Sequence, residues 1–334
     1  MKFFIVGYGS IGRRHLRNLL ALGEKDIWLY RTRQSTLPEE EIADIPVETN
    51  LQAVFDHRPD AVVIANPTAL HLDVAIPAAE AGCHILMEKP ISNSLERISE
   101  LQAALKRGGG KLLMGFQFRF HPGLQKVSAL LNEGRIGRLL SLRTQWGEYL
   151  PNWHPWEDYR KSYSARGDLG GGVVLTLCHP LDYLNWLVGK VESLWAFTGK
   201  ISDLEIQVDD VGEIGLQFDN GVLGSLHLDY YRSPPIHQFE MVGTEGVLAW
   251  DNANGVTRLT TSSGESCAFE LPPGFERNQM FLDEMRHFIQ VVRGEAQPIC
   301  SLEDGSYVLQ LALAINKSAN EKRIVHPIET ASQR

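Results

Sequence analysis

The sequence predicts an α/β domain with a doubly wound parallel sheet, followed by an α+β domain with a large open antiparallel sheet. Short apolar runs alternate with helical patterns up to about residue 120, as in the crossover units that build parallel sheets. Farther along, runs of strand composition follow one another across hairpin-length turns, as in antiparallel sheets. The 334 residues are enough for two domains of ordinary size. We therefore predict a first domain over residues 1–120 and a second over residues 121–334, whose closing helices pack back toward the first.

The first domain is predicted to alternate strands and helices. Its strands are short apolar runs, and its helices repeat apolar residues at helical spacing. The predicted strands are Lys2–Val6, Ile27–Tyr30, Ala61–Ile64, His84–Met87 and Lys111–Gly115. The predicted helices are Ile11–Leu22, Leu51–His57, Ala69–Ala81 and Leu95–Arg107. Pro77 falls inside the third helix and is expected to kink it.

The second domain is predicted to begin with a helix and to continue mainly as strands. Turn signals such as Asp219-Asn220-Gly221 separate the strands. The predicted strands are Leu139–Trp146, Val191–Lys200, Val211–Phe218, Val222–Tyr231, His237–Val242, Val247–Asp251, Thr257–Thr261 and Cys267–Leu271. The predicted helices are Pro122–Asn132, Val174–Leu187, Arg277–Arg293 and Glu303–Ser318.

Composition argues against several classes of partner. The formal net charge of −9 does not favour nucleic acid, which needs a clustered basic surface. No apolar run approaches the roughly 20 residues of a membrane span, and the first residues do not have the pattern of a secretory signal. The four cysteines lie far apart and fit neither a zinc site nor a disulfide scaffold. We expect a cytoplasmic protein without a bound metal, nucleic-acid partner or membrane.

A glycine-rich turn follows the first predicted strand. Gly7-Tyr8-Gly9-Ser10-Ile11-Gly12 has the spacing G-x-G-x-x-G and opens the first helix. In this context the glycines allow a tight turn, a close approach of the backbone to a pyrophosphate, and close packing of helix on strand. The helix N-terminus then offers N–H groups to the phosphates. The turn predicts a Rossmann dinucleotide site that includes Gly7, Gly9, Ser10, Ile11 and Gly12.

The end of the second strand indicates which dinucleotide is bound. An acid at this place would bind the ribose hydroxyls, but the sequence has Arg31 and Arg33. Arginine makes bidentate, charge-assisted contacts with phosphate. We therefore predict NADP as the favoured cofactor and NAD as the alternative. Arg31 or Arg33 could instead stack on adenine or face solvent.

Taken together, several motifs resemble the glucose–fructose oxidoreductase/inositol dehydrogenase (Gfo/Idh/MocA) family over essentially the whole chain. The motifs are Gly7–Gly12, Asn66-Pro67-Thr68, Met87-Glu88-Lys89-Pro90, Gly115–Phe120 and Gly170-Gly171-Gly172 with His179 and Asp182. The resemblance implies an NAD(P)-dependent oxidoreductase that transfers a hydride between nicotinamide and a carbon of a sugar, cyclitol or sugar derivative.

The resemblance also implies roles for individual residues. Asn66 and Pro67 would line the nicotinamide side of the cleft, and Glu88 would hold the nicotinamide ribose. Lys89 would hydrogen-bond the reacting oxygen, with the Lys89–Pro90 bond in the cis form. His71 and Gln117 complete the predicted cofactor contacts.

His179 would be the acid or base of the second domain, and Asp182 would orient it or the substrate. Lysine in a partly desolvated cleft and histidine can both work near neutral pH, so either Lys89 or His179 could be the base. Arg119 and Asp182 are predicted substrate residues. Many relatives carry an aspartate where this chain has Thr176, and an asparagine is commoner where it has Gln117. Because threonine cannot ionise, Thr176, itself a predicted substrate residue, puts full activity in doubt.

An aromatic segment between residues 146 and 172 is the predicted substrate loop. Flat rings suit the C–H faces of sugars, and polar side chains suit hydroxyls or carboxylates. The candidates are Trp153, Trp156, Tyr159, Arg160 and Arg166. Arg160, Lys161 and Arg166 raise the hypothesis of an acidic or phosphorylated ligand. The segment could instead pack against the first domain or a neighbouring subunit.

Two further possibilities stay open at this stage. The chain could be a cofactor-binding regulatory protein with little or no turnover, or a reductase of a non-sugar substrate. A homodimer or homotetramer is also predicted, formed through the free face of the second-domain sheet. Alternating apolar residues on its strands would face this interface or the helices: Trp195, Phe197, Leu226, Leu228 and Tyr230.

Overall fold

The computed structural model describes residues 1–31 and 44–328. These residues form two compact units. Unit 1 comprises Met1–Gln117, Asp168–Gly170 and Arg277–Leu309, and unit 2 comprises Phe118–Gly167, Gly171–Glu276 and Gln310–Arg334. The predicted division into residues 1–120 and 121–334 stays a prediction about domains.

Unit 1 contains a six-stranded parallel sheet in the order β3-β2-β1-β4-β5-β6. The strands are β1 (Lys2–Val6), β2 (Asp26–Tyr30), β3 (Val47–Glu48), β4 (Ala61–Ile64), β5 (His84–Glu88) and β6 (Leu112–Gly115). The helices of this part of the chain are α1 (Ser10–Ala21), α2 (Leu51–Asp56), α3 (His71–Glu80) and α4 (Ile98–Gly108). All four residues of β4 and of β6 are buried, as expected for strands with both faces covered. The predicted doubly wound sheet is therefore confirmed.

Neighbouring strands of this sheet end side by side. Val6 of β1 pairs with Ile64 of β4, and Met87 of β5 pairs with both Ile64 and Met114 of β6. The segments that follow β1, β4, β5 and β6 consequently leave the sheet at one edge, which is where open α/β sheets bind ligands.

Unit 2 contains an eight-stranded sheet in the order β14-β13-β12-β11-β7-β10-β9-β8. Its strands are β7 (Leu139–Gly147), β8 (Val191–Gly199), β9 (Val211–Phe218), β10 (Leu223–Asp229), β11 (Ile236–Gly243), β12 (Gly246–Asp251), β13 (Thr257–Thr261) and β14 (Ser266–Phe269). The pairs are antiparallel except for β7 and β10, which run parallel. The predicted large antiparallel sheet is confirmed, with this one parallel pair added.

The remaining helices are α5 (Pro122–Asn132), α6 (Val173–Thr176), α7 (His179–Leu187), α8 (Asn278–Val292) and α9 (Leu302–Glu321). The predicted helix Val174–Leu187 is wrong as a single element, because it breaks at Leu177 and Cys178 into α6 and α7. Pro180 explains the break, since it has no N–H to bond into the preceding turn and its ring clashes there. None of the helices among the described residues has both the length and the apolar character of a membrane span.

The five apolar residues proposed for a subunit interface separate into two groups. Trp195 and Phe197 of β8 are 45% and 69% exposed. Leu226 and Leu228 of β10 and the nearby Tyr230 are fully buried on the side that α6 covers. The choice between the interface and the helices, which the sequence left open, therefore has a different answer on the two strands, because the pleat of β10 turns its leucines toward the core.

Candidate active site and cofactor site

The glycine turn has the geometry of a pyrophosphate cradle. Gly7 has φ +89°, which a residue with a side chain rarely adopts, and a Cβ on Gly12 would overlap the carbonyl oxygen of Gly7. A Cβ on Gly9 would meet nothing within 4 Å. Gly9 and Ser10 are exposed, and Ser10 begins α1. Backbone N–H groups at the start of α1 therefore face open space where a diphosphate fits.

Two arginines surround the ring of Tyr8 in this turn. The guanidinium carbon of Arg13 lies 4.5 Å from the ring centroid, and that of Arg31 lies 5.6 Å from it. Arg31 is 6% exposed, and its backbone N–H donates to the carbonyl of Glu48. Arg33, the second arginine predicted to bind phosphate, lies outside the described residues. Arg13 was not among the predicted residues, although its position directly after Gly12 could have indicated it.

The segments after β4 and β5 are joined by His71. Its Nδ1 lies 2.9 Å from the carbonyl oxygen of Pro90, and its Nε2 lies 3.0 Å from that of Asn66. Burial lowers the pKa of His71, and the two carbonyl contacts offset this only in part. Because His71 is 1% exposed, it can hold Asn66 and Pro90 in place but presents little surface of its own.

Glu88 ends β5 at the same edge, and Lys89 directly follows it. Glu88 is 8% exposed, and its Oε1 lies 2.8 Å from Nε2 of His15. Burial by itself would raise the pKa of Glu88, but the hydrogen bond from His15 and the nearby positive charges hold that pKa below its usual value. Lys89 is partly exposed, and the Lys89–Pro90 bond is cis, as predicted. Gln117 is buried, at 5% exposure.

His15 is a contact of Glu88 that the sequence reasoning missed. It is fully buried on α1, one residue before Leu16. A histidine directly before Leu16, on the side of the helix predicted to be buried, was the available signal, since a buried polar residue usually has a partner. The partner itself, 73 positions away, could not be identified from the sequence.

In unit 2, His179 belongs to a group of packed rings that we call the ring cluster. Its members are Phe118, His121, Trp146, His179, Tyr183, His237 and Trp250. The ring of His179 lies 5.1 Å from that of Phe118 and 5.6 Å from that of Trp146. His237 stacks on Trp146 at 4.2 Å with an interplanar angle of 2°. His179 is 2% exposed, so its orientation is set by these neighbours.

Arg119 and Asp182, both predicted substrate residues, bind each other. Nε of Arg119 lies 3.1 Å from each carboxylate oxygen of Asp182, and Nη2 lies 2.7 Å from Oδ1. The side chains are 7% and 1% exposed. This arrangement is a buried, bidentate ion pair, and it leaves little of either group exposed for a substrate.

Thr176, where the family resemblance leads us to expect an aspartate, is 2% exposed on α6. Its side chain lies near the hydroxyl of Tyr230, which donates to the carbonyl of Gly172 at 3.0 Å. Burial raises the pKa of Tyr230 far above its usual value, so the tyrosine stays neutral. The side chain of Thr176 is thus engaged inside unit 2.

The side chains of the aromatic segment differ in exposure and in their contacts. Trp153 packs edge-on against Tyr230 at 5.5 Å, whereas Trp156 is 66% exposed. The hydroxyl of Tyr159 accepts from the N–H of Glu205. Arg160 binds Asp158 at 2.8 Å and Glu205 at 2.6 Å, so two carboxylates already balance its charge.

Arg166 is exposed. The hypothesis of an acidic or phosphorylated ligand therefore loses the contribution of Arg160.

A parallel sheet in this strand order, an open glycine turn before α1 and a lysine at the carboxyl edge define a nicotinamide-dinucleotide-binding oxidoreductase as the class of protein. The sequence model of the "Oxidoreductase family, NAD-binding Rossmann fold" matches residues 1–116, and that of the "GFO/IDH/MocA C-terminal domain" matches residues 124–249. The chain belongs to the GFO/IDH/MocA family.

Relatives and solved structures agree with this assignment. The chain is 28% identical to myo-inositol 2-dehydrogenase of Thermotoga maritima, over 97% of this chain and 98% of that protein. A structure of levoglucosan dehydrogenase in complex with NADH and levoglucosan superposes with a TM-score of 0.87 at 21% identity, covering 98% of this chain and 100% of the other. The WlbA dehydrogenase from Bordetella pertussis, in complex with NADH and UDP-GlcNAcA, gives a TM-score of 0.81 at 24% identity, covering 99% and 98%. These structural similarities establish the fold.

Proposed function

We propose that the protein is an NAD(P)-dependent dehydrogenase or reductase that acts on a CH–OH carbon of a sugar, cyclitol or sugar derivative. The observation that carries the proposal is the open glycine turn on the same sheet edge as Lys89. The relatives and neighbours named above act on, or are bound to, inositol, an anhydro sugar and a nucleotide sugar. They support this substrate class.

Within this proposal, Lys89 and His179 handle the proton of the reacting oxygen. The nicotinamide cofactor supplies or accepts the hydride. Lys89 is partly exposed at the end of β5, where its ammonium group can donate a hydrogen bond to the oxygen of the reacting carbon. His179 is the first residue of α7, and the positive end of the helix dipole disfavours a protonated imidazole there. A neutral imidazole among aromatic rings suits a proton acceptor.

The test is turnover of the Lys89→Ala variant with myo-inositol, levoglucosan and a nucleotide sugar, each assayed with both cofactors. We expect kcat to fall about 100- to 10,000-fold, because a positioned acid–base group contributes that much. Cofactor affinity, measured by nucleotide fluorescence, should change less than about threefold. The matched control is Lys106→Ala in the last turn of α4, which should leave both quantities unchanged. Cofactor binding without turnover that depends on Lys89 would instead support a regulatory protein.

We further propose that NADP is the favoured cofactor. Arg31 is held at the end of β2 beside Tyr8 and Arg13, and two guanidinium groups near the end of this strand support binding of a 2′-phosphate. Arg31→Ala should weaken NADP binding about 10- to 100-fold and leave the affinity for NAD nearly unchanged. Arg17→Ala, on an exposed position of α1, is the control. Equal losses for the two cofactors would contradict the preference.

The charge balance of the aromatic segment favours a neutral substrate. Arg160 is already bound by Asp158 and Glu205. Arg166, an exposed cation of the segment, is the residue chosen for the test. Arg166→Ala should raise KM equally for neutral and nucleotide-linked sugars. A selective rise for the acidic substrate would restore the acidic-ligand hypothesis.

We also propose a cytoplasmic homodimer or homotetramer that forms through the open face of the eight-stranded sheet. Trp195 and Phe197 expose apolar rings on the edge strand β8, and the four cysteines form no disulfide within the described part of the chain. Light scattering should show that Phe197→Arg dissociates the assembly. A wild-type monomer at micromolar concentration would rule out the interface.

A further inference from the structure

The buried ion pair between Arg119 and Asp182 lies directly beside His179 in the chain. Asp182 is three residues after His179 on α7, so both side chains lie on the same side of this short helix. Arg119 follows Phe118, whose ring contacts the imidazole of His179. Two links therefore join the turn Gln117–Phe120 to the first turn of α7: one ring contact and one bidentate ion pair.

The start of α7 needs such links. α7 does not continue from α6, since the helical structure breaks at Leu177 and Cys178. The side chain of Cys178, the N-cap residue, makes no capping hydrogen bond. The position of His179 consequently depends on what holds the first turn of α7, and the buried, bidentate ion pair is one polar contact that does so.

The ion pair also controls the charge near the imidazole. A carboxylate one turn away would favour protonation of His179, and a guanidinium group would oppose it. In the pair, the two charges cancel at distances of 2.7 to 3.1 Å. We infer that Arg119 and Asp182 are positioning residues that act through His179, fixing its helix and balancing the charge beside it, and that they are not ligands of the substrate. This inference rests on the proposed role of His179 as the proton acceptor.

The other ionisable groups of the ring cluster do not replace this pair. Burial lowers the pKa of His121 to about 4 and raises the pKa of Tyr183, so both are neutral near pH 7. His237 stacks on Trp146 and lies 3.3 Å from the hydroxyl of Tyr183. Glu148 accepts a hydrogen bond from the indole of Trp146. Arg119 and Asp182 are thus the opposite charges whose removal should act on His179 most directly.

The experiment compares Arg119→Gln, Asp182→Asn and the double variant. Arg119→Gln leaves the carboxylate of Asp182 without its guanidinium, so the acid limb of the pH profile of kcat/KM should move up by about one pH unit. Asp182→Asn leaves the charge of Arg119 and should move the limb down by a similar amount. The double variant, in which neither charge remains, should return the limb close to its wild-type position.

The same three variants also show whether a loss of activity comes from misfolding. Each single variant leaves a buried charge and is expected to be less stable than the double variant, whose thermal midpoint should lie closer to that of the wild type. The matched control is Arg107→Gln, which breaks an exposed pair with Glu80 and should not move the profile. A residue with a purely structural role would lower activity without moving the limb in opposite directions.

A second readout separates this inference from the proposed function. NMR titration of ¹³C-labelled histidine follows the imidazole of His179 directly, with the spectrum of His179→Ala used for assignment. Opposite displacements of that titration support the inference even if His179→Ala keeps full activity, in which case the proposed proton role fails. Displacements in the same direction, or none in either folded single variant, would overturn it whatever His179→Ala does.

Discussion

The glycine turn of unit 1 and the ring cluster of unit 2 are built in opposite ways. The turn occupies six consecutive residues, Gly7–Gly12, and works by omitting side chains so that the backbone can approach a phosphate. The ring cluster collects large side chains from separate elements, among them β7, α7, β11 and β12. A site made of local backbone can be recognised from a short motif, whereas a site made of distant side chains becomes visible only in the folded chain.

The two regions also differ in their electrostatics. Around the turn, Arg13 and Arg31 bring positive charge to a place suited to an anion. In the ring cluster charge is kept low, because burial lowers the pKa of His121 and raises that of Tyr183. The main effect of substitutions in the turn should therefore be on cofactor binding. The main effect of substitutions in unit 2 should be on stability and on its pH dependence.

The largest expected effect is that of Gly12→Ala. Its Cβ would overlap the carbonyl oxygen of Gly7, which is backbone and cannot move aside cheaply. We expect a loss of roughly 3 kcal/mol in the free energy of unfolding and at least about a 100-fold loss of cofactor affinity. Urea unfolding and nucleotide fluorescence measure the two quantities.

Gly9→Ala is the matched control for this prediction. Its Cβ would meet nothing within 4 Å, so the free energy of unfolding without cofactor should stay within about 0.5 kcal/mol of the wild type. The cofactor should still bind about tenfold more weakly, because the methyl group stands where the backbone approaches the phosphates. Equal losses of stability and of cofactor affinity in Gly12→Ala and Gly9→Ala would contradict the claim that a Cβ at Gly12 clashes with the backbone of the turn.

The same contrast explains how much could be predicted from the sequence. The parallel sheet and the glycine turn were predictable, because apolar periodicity and a short motif specify them locally, and the cis bond before Pro90 was expected from the family resemblance. The pairing of Arg119 with Asp182, and of His15 with Glu88, was not, since the partners are 63 and 73 positions apart. The sequence also did not show which face of β10 is buried, because two-residue alternation does not say which side of the sheet the helices cover.

In the ring cluster, His121→Asn should change how stability depends on pH. The pKa of His121 is about 4 in the folded protein and about 6.5 when unfolded, so only the unfolded chain binds a proton between these values. The wild type should therefore lose about 3 kcal/mol of stability through this group as the pH falls from 7 to 4. Asparagine retains an oxygen that can accept the capping N–H of Gly123 and has no such titration.

Urea unfolding of both proteins at pH 7 and pH 4.5 tests this prediction. At pH 7 the variant is expected to be less stable than the wild type, since the asparagine side chain is smaller than that of histidine. On acidification the variant is expected to lose less stability than the wild type. Parallel losses in the two proteins would show that His121 is not held neutral by its surroundings.

On the open face of the sheet, His227 should have the opposite pH dependence. Its Nε2 lies 2.9 Å from Asp229 and its Nδ1 lies 2.5 Å from Glu213. The hydrogen bond to Asp229, with that to Glu213, raises the pKa of His227. A raised pKa stabilises the folded protein below the unfolded value of about 6.5, and this stabilisation disappears as the pH rises through the folded pKa.

His227→Gln should consequently lower the free energy of unfolding by about 1 to 2 kcal/mol at pH 6 and by much less at pH 9. Chemical denaturation at both pH values measures this difference. Glu213→Gln should have a smaller effect than Asp229→Asn, because Glu213 is 57% exposed and Asp229 is fully buried. The same loss at pH 6 and pH 9 would mean that packing, and not charge, explains the variant.

The smallest effect is expected from substitution of Thr176. This substitution tests whether the side chain of Thr176 takes part in the reaction or is only a buried structural group. Thr176→Val keeps the shape and removes the hydroxyl near Tyr230, which still donates to the carbonyl of Gly172. We expect a loss of about 1 kcal/mol in the free energy of unfolding and no change in kcat. Tyr230→Phe should cost more, because it leaves the carbonyl of Gly172 without this donor, and the two losses should not add, since the two side chains are neighbours. A fall of tenfold or more in kcat for a stably folded Thr176→Val would show that the hydroxyl takes part in the reaction.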